Sequence, residues 1–179
     1  MSMSMGRASG AAVGVCLGLI LCVCIFKAVN TNRKIKTEYD ERQLLVRGKG
    51  YTIAFYTVIV YEALMMILTM SGIEFPVQDY ILHVAGIFVG CTVLGAFCIW
   101  NDVYWGLNND RKKYIWVIMG ALALNLMLAA GAILNGGLME DGKLGMPMLN
   151  IMVVIMLFII MCEMLIKHVM DNNGKNEEE

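Results

Sequence analysis

Glu62 is an acid set in an apolar run at 51–71, eleven positions past Tyr51. A carboxyl at that depth of a membrane helix has no water around it, and an ionised one costs about 2.5 kcal/mol or more. It is expected to face the bundle interior and to be protonated or hydrogen-bonded there. Asn125 stands eleven positions past Tyr114 in another apolar run, 114–134. One acid and one amide at equal depth can form an interhelical hydrogen bond worth about 0.6–2 kcal/mol. The chemistry on offer is a structural clamp or a site for a proton or cation.

The remaining polar groups within apolar runs read as local pairs. His83 is spaced i+4 from Asp79, and Glu163 is spaced i+4 from Lys167. Asn101 and Asp102 close an apolar run among aromatics and read as interfacial. All six cysteines, Cys16, Cys22, Cys24, Cys91, Cys98 and Cys162, lie inside apolar runs. Cys22 and Cys24 would point about 200° apart on a helix, so they cannot chelate one ion. No disulfide, metal or cofactor is expected. Met152, Met156, Met161 and Met164 read as adaptable packing material. The chain carries no hydrolase elbow, zinc spacing, phosphate loop or paired carboxylates, so it is not expected to be an enzyme.

These residues sit in a chain that is 59% hydrophobic and 16% charged, against about 45–50% and about 25% in soluble domains. The apolar residues fall in five blocks: 11–29, 51–71, 80–101, 114–134 and 148–166. At ~1.5 Å per residue each spans about 28–33 Å, the thickness of the hydrocarbon layer. The expectation is a single all-α transmembrane domain, a polytopic bundle of five spans. Pro76 falls in a loop and Pro147 opens the fifth helix. The first block is read as a retained span, because no small-x-small cleavage pattern follows it.

Charge sets the expected orientation. Twelve Lys and Arg residues fall on one side of these spans and two, Arg7 and Lys143, on the other. By the positive-inside rule the N-terminus lies outside and the C-terminus in the cytoplasm. Tyr51, Trp100, Tyr104, Trp105, Tyr114 and Trp116 then form an aromatic belt at the cytoplasmic interface. The expected location is the cell membrane, multi-pass. The net charge of −1 gives no basis for nucleic-acid binding.

The longest polar stretch is 30–50. It is read as a basic cytoplasmic segment containing a short helix capped by Thr37, with Glu38 facing Arg42, ending at Gly48. Arg33, Lys34, Lys36, Arg42, Arg47 and Lys49 make it a candidate surface for a partner or for anionic lipid. Within it, Tyr39-Asp40-Glu41-Arg42-Gln43 precedes Arg47-Gly48-Lys49-Gly50-Tyr51 and an apolar run. This arrangement resembles small bacterial multi-pass membrane proteins of an uncharacterised family that carry a D-E-R-Q segment just before a helix. The resemblance implies a bacterial inner-membrane protein and transfers no activity or functional residue. The last ten residues, 170–179, read as an acidic, flexible tail.

Small residues describe the packing. Gly6, Gly10, Gly14 and Gly18 recur every four residues on the first helix, and Gly86, Gly90 and Gly95 form a similar strip on the third. Such strips let helix backbones approach closely. Together these features favour a non-enzymatic regulatory, sensory or accessory subunit that works by contact. The alternative is a small proton- or cation-coupled transporter or channel using Glu62. The partners the sequence offers are membrane lipid and another membrane protein or a second copy of the chain.

Overall fold

The computed structural model describes residues 2–176, with side chains for residue 13 and for 16–173. It is all-helical apart from one small hairpin. The helices are α1 (Ser2–Val29), α2 (Glu41–Met70), α3 (Asp79–Trp100), α4 (Arg111–Leu134) and α5 (Met148–Asn176). Helices α2 to α5 are each long and apolar enough to cross a bilayer. The apolar stretch of α1 with described side chains, Cys16–Val29, is shorter than a span. Most large apolar side chains of these helices are exposed, which suits a hydrocarbon solvent rather than water.

The expected short helix capped by Thr37 is not present. Residues 31–40 are non-helical, and α2 starts at Glu41 and runs without a break through Gly48 and Gly50 to Met70. The cause is a capping box at the D-E-R-Q segment. Asp40 Oδ1 accepts the N–H of Gln43 at 2.6 Å, and Gln43 Oε1 accepts the N–H of Asp40 at 3.2 Å. Two orphan donors of the first turn are satisfied reciprocally, so the helix starts there. At the other chain end, α5 continues as helix to Asn176, where a flexible tail from 170 was expected.

The chain forms two compact units rather than one. The first joins the chain up to Tyr39 with Trp105–Val117; the second joins Asp40–Tyr104 with the chain from Ile118 onward. In the second unit α3 is central and packs on both α2 and α5. Its glycine strip explains why. A Cβ on Gly90 would meet Val58 Cγ2, and one on Gly95 would meet the side chain of Ile160. The first-helix strip shows nothing comparable: Gly18 has open space around it, and Gly6, Gly10 and Gly14 lie outside the residues with described side chains.

α3 ends in a Schellman turn, with Val103 N–H bonded to Cys98 C=O at 2.9 Å and Asp102 in the left-handed region at φ 59°. A non-glycine residue there is strained by about 1–2 kcal/mol. Neighbouring helices hold it in place. Arg47 of α2 donates to Val103 C=O at 2.9 Å, and Lys167 of α5 lies 3.4 Å from Asp102. The α4–α5 connection holds β1 (Met139–Glu140) and β2 (Lys143–Leu144), joined at Asp141-Gly142 with φ 52° and 79°. Both central residues have positive φ, as a type I′ turn demands. The hairpin anchors the start of α3 through Gln78 N–H, which donates to Leu144 C=O at 3.0 Å.

Candidate functional site

Polar residues in the apolar helices mostly look inward to their own backbone. Thr52, Thr57, Thr69 and Thr92 each donate to the carbonyl four residues back, at 2.8–3.0 Å. Asn125 does the same, donating to Ala121 C=O at 2.8 Å. This local bond uses one of its amide hydrogens. The expected Glu62–Asn125 bond is not formed; Glu62 bonds elsewhere.

A carboxyl has no such local outlet, and Glu62 finds a partner on α3. Its Oε2 lies 2.7 Å from Nδ1 of His83. The ring N–H can donate to the carboxylate, or a protonated carboxyl to the ring nitrogen, so the pair shares one proton in either form. Sequence spacing had set His83 against Asp79; that carboxylate instead faces Lys143 at 3.9 Å. Gly86 makes the contact possible. A Cβ there would meet Tyr61 Cδ1 at 2.6 Å and Glu62 Oε1 at 2.8 Å. Tyr61 closes the same seam by donating to Leu82 C=O at 3.0 Å. Glu62 is thus level with Gly86, about 10 Å along α3 from its start. His83 remains largely exposed, so the pair is open to its surroundings on one side.

Two other expectations in this unit are revised. Lys167 pairs with Asp171 at 3.1 Å and with Asp102, not with Glu163. Glu163 Oε2 is buried without a hydrogen-bond partner among the described residues. An apolar groove of about 260 Å³ runs between α3 and α5, lined in part by Phe88, Thr92, Met152 and Met156. Its one hydroxyl, Thr92, already donates to Phe88 C=O. With no free polar group to orient a ligand, it lacks the makings of a specific small-molecule site.

The first unit holds a second polar constellation, which sequence reasoning missed. The loop after α1 is clasped to the loop before α4 by four asparagines. Asn109 Nδ2 donates to Asn30 Oδ1 at 2.7 Å, and Asn30 Nδ2 donates to Lys34 C=O at 2.8 Å. Asn108 is the hub. Its Oδ1 accepts Glu38 N–H at 2.8 Å, its Nδ2 donates to Asn32 Oδ1 and Lys36 C=O at 3.1 Å, and its carbonyl accepts Thr31 N–H at 2.8 Å. Asn30 and Asn108 are only 2% and 5% exposed, so these amides form a satisfied polar core. Gly106 is required beside it, because a Cβ would meet Thr37 Cγ2 and Glu38 C=O.

The same unit joins two helix ends. Asp110 N–H donates to Val29 C=O at 3.0 Å, so the start of α4 caps the end of α1. Asp110 also caps its own helix, with Oδ1 accepting Lys113 N–H at 3.2 Å. That amide, with the nearby Lys113 ammonium, holds the Asp110 carboxyl below the usual carboxylate range against a smaller opposing effect of desolvation. The cue in the sequence was Asn108-Asn109-Asp110 directly before a basic first turn, the composition of a turn leading into an N-cap.

The six candidate cations accordingly divide. Arg33, Lys34 and Lys36 are exposed on the clasped loop, where Arg33 takes a left-handed φ of 54°. Lys34 faces Glu38 at 3.3 Å, which leaves no Glu38–Arg42 pair. Arg42 and Lys49 are exposed on α2, whereas Arg47 is half-buried and bonded to Val103 C=O and Tyr51 Oη. Arg47 thus belongs to the packing of the second unit. The chain matches no protein-family model, no curated protein and no solved structure.

Proposed function

We propose that this is an integral membrane protein that threads the bilayer five times, with its N-terminus outside and its basic loops and C-terminus in the cytoplasm. It works by contact, as a regulatory, sensory or accessory subunit, and not as an enzyme. The D-E-R-Q resemblance adds that the membrane is a bacterial cytoplasmic one. The observation that carries the reading is the asparagine clasp. It fixes a basic loop in one conformation and presents Arg33 and Lys36 outward while its own amides are fully occupied. A pre-ordered loop loses little entropy on docking. The cation asymmetry along the chain supports the orientation.

The test is recovery of a partner from membranes dissolved in mild detergent. A specific protein should co-purify with the parent and with Glu62→Gln, and be lost with Arg33→Glu/Lys36→Glu. Purification as a lone oligomer, unchanged by those charge reversals, would sink the proposal.

A second reading is a small proton-coupled transporter, with a homo-oligomer enclosing the path. It is favoured by one contact, the 2.7 Å pair of Glu62 and His83 between α2 and α3. An intramembrane acid and base sharing a proton are the elements of a relay. This reading expects proton flux in liposomes that Glu62→Gln abolishes without loss of fold. Flux that survives the substitution removes it.

A further inference from the structure

We infer that the clasped loops of the first unit form a binding surface for anionic phospholipid headgroups of the leaflet they border. The inference rests on the reading of the chain as a membrane-embedded contact protein and names what this surface contacts. Residues 27–39 and 105–117 carry seven cations against two anions, Glu38 and Asp110. Both anions are engaged, Glu38 by Lys34 and Asp110 by Lys113, each at 3.3 Å. Arg33, Lys36 and Lys112 are exposed and, among the described residues, face no carboxylate. The backbone bond from Asp110 to Val29 brings Lys27 and Arg111 to the same seam.

The location of these charges calls for anions from outside the chain. Arg111, Lys112 and Lys113 fill the first turn of α4, where the helix dipole disfavours cations. A phosphate beside them would relieve that repulsion. The surroundings select a lipid over a soluble anion. Ile35 sits between Lys34 and Lys36 with half its surface exposed, and Leu107 is 67% exposed although its N–H is fixed to Glu38 C=O. Trp105 meets Tyr114 edge-on at 5.4 Å, with the Arg111 guanidinium 5.9 Å over its ring. Apolar and aromatic side chains interleaved with unpaired cations beside membrane helices match the boundary between headgroups and acyl chains.

The experiment uses the full chain with Trp100→Phe and Trp116→Phe, so that Trp105 is the fluorophore, in phosphatidylcholine bilayers. Brominated phosphatidylglycerol and brominated phosphatidylcholine are titrated in as quenchers. The expected result is preferential quenching by the anionic lipid, weakened by salt. Each of Arg33→Gln, Lys36→Gln and Lys112→Gln should lower that preference by about fivefold or less, and the triple variant should bring it to parity. Equal quenching by both lipids in the parent overturns the inference. If parity comes with continued loss of a protein partner on Arg33→Glu/Lys36→Glu, only the lipid assignment falls. If neither lipid quenches Trp105, the membrane placement of this unit falls, and the broader reading with it.

Discussion

Asn108 Oδ1 accepts the backbone N–H of Glu38 at 2.8 Å across 70 positions of sequence. Its Nδ2 simultaneously holds Asn32 and the Lys36 carbonyl. One amide thereby fixes most of the polar loop between α1 and α2. Asn108→Ala leaves the Glu38 N–H and the Lys36 carbonyl without partners, at a cost of about 1–3 kcal/mol. The expected readout is tryptic cleavage after Arg33, Lys34 or Lys36, about tenfold faster in detergent than in the parent. Unchanged cleavage kinetics would show that the clasp does not restrain the loop.

Gly106 and Gly18 make opposite predictions for one substitution. Gly106→Ala drives a methyl into Thr37 and the Glu38 carbonyl and should destabilise the first unit by about 1–3 kcal/mol. Gly18→Ala meets open space within a helix and should be neutral or stabilising by up to about 1 kcal/mol. Thermal unfolding of the two variants in one detergent decides the point. A similar loss of stability in both would contradict the open space at Gly18, and no loss at Gly106 would contradict the contact there.

The Glu62–His83 pair should appear as a coupling energy. Single and double replacement by Gln, compared by unfolding in detergent, should give an interaction of about 0.6–1.7 kcal/mol. Asn125→Ala combined with Glu62→Gln should be additive, because Asn125 bonds within α4. A coupled Glu62 and Asn125 with an uncoupled His83 would reverse this assignment.

Asp110 gives a pH dependence with a definite sign. Its carboxyl is held below the usual range in the folded chain, so its stabilising effect is complete above the unfolded value. That effect fades as pH falls from the ordinary carboxylate value, about 3.9, through the lower folded value. Asp110→Asn keeps a capping oxygen but cannot titrate. Its unfolding temperature should therefore vary less with pH over this acid window than that of the parent. An identical acid profile would mean that Asp110 does not contribute to it.

Glu163 offers the reverse of the usual cost of mutation. Its Oε2 is buried without a partner among the described residues. Glu163→Met removes an uncompensated polar atom and keeps volume, so stability should be unchanged or higher. A clear loss of stability would reveal an interaction of that carboxyl that the structure does not contain.

How far the sequence could be read follows from what each feature depends on. The apolar runs are local, and four of them appear as helices able to cross a bilayer. Glu62, His83 and Asn125 lie within those helices, but the partners they take are not the ones expected. Choosing between His83 and Asn125 for Glu62 requires knowing which faces of three helices meet, and no apolar period encodes that. Gly86 was visible in the glycine strip, yet its role depends on Tyr61 and Glu62 lying opposite. The start of α2 was misplaced for a different reason. Thr37 and Asp40 are both good caps, and only Asp40 has a Gln three residues later to complete the box. The same rule, applied strictly, would have placed the boundary. The Asp141-Gly142 hairpin was equally legible from its dipeptide. The asparagine clasp was not, because Asn30 and Asn109 are 79 positions apart.

That separation has a consequence for the order in which the molecule can be made. α1 ends on a carbonyl whose partner is the amide of Asp110, so its last turn stays incomplete until two further helices, α2 and α3, have been made. Through that interval the basic loop is a loose tether. A nascent chain halted after α3 would expose it to proteases, and arrival of the Asn108-Asn109-Asp110 triplet would lock it. Assembly of the first unit in this sense waits on the residues that open α4.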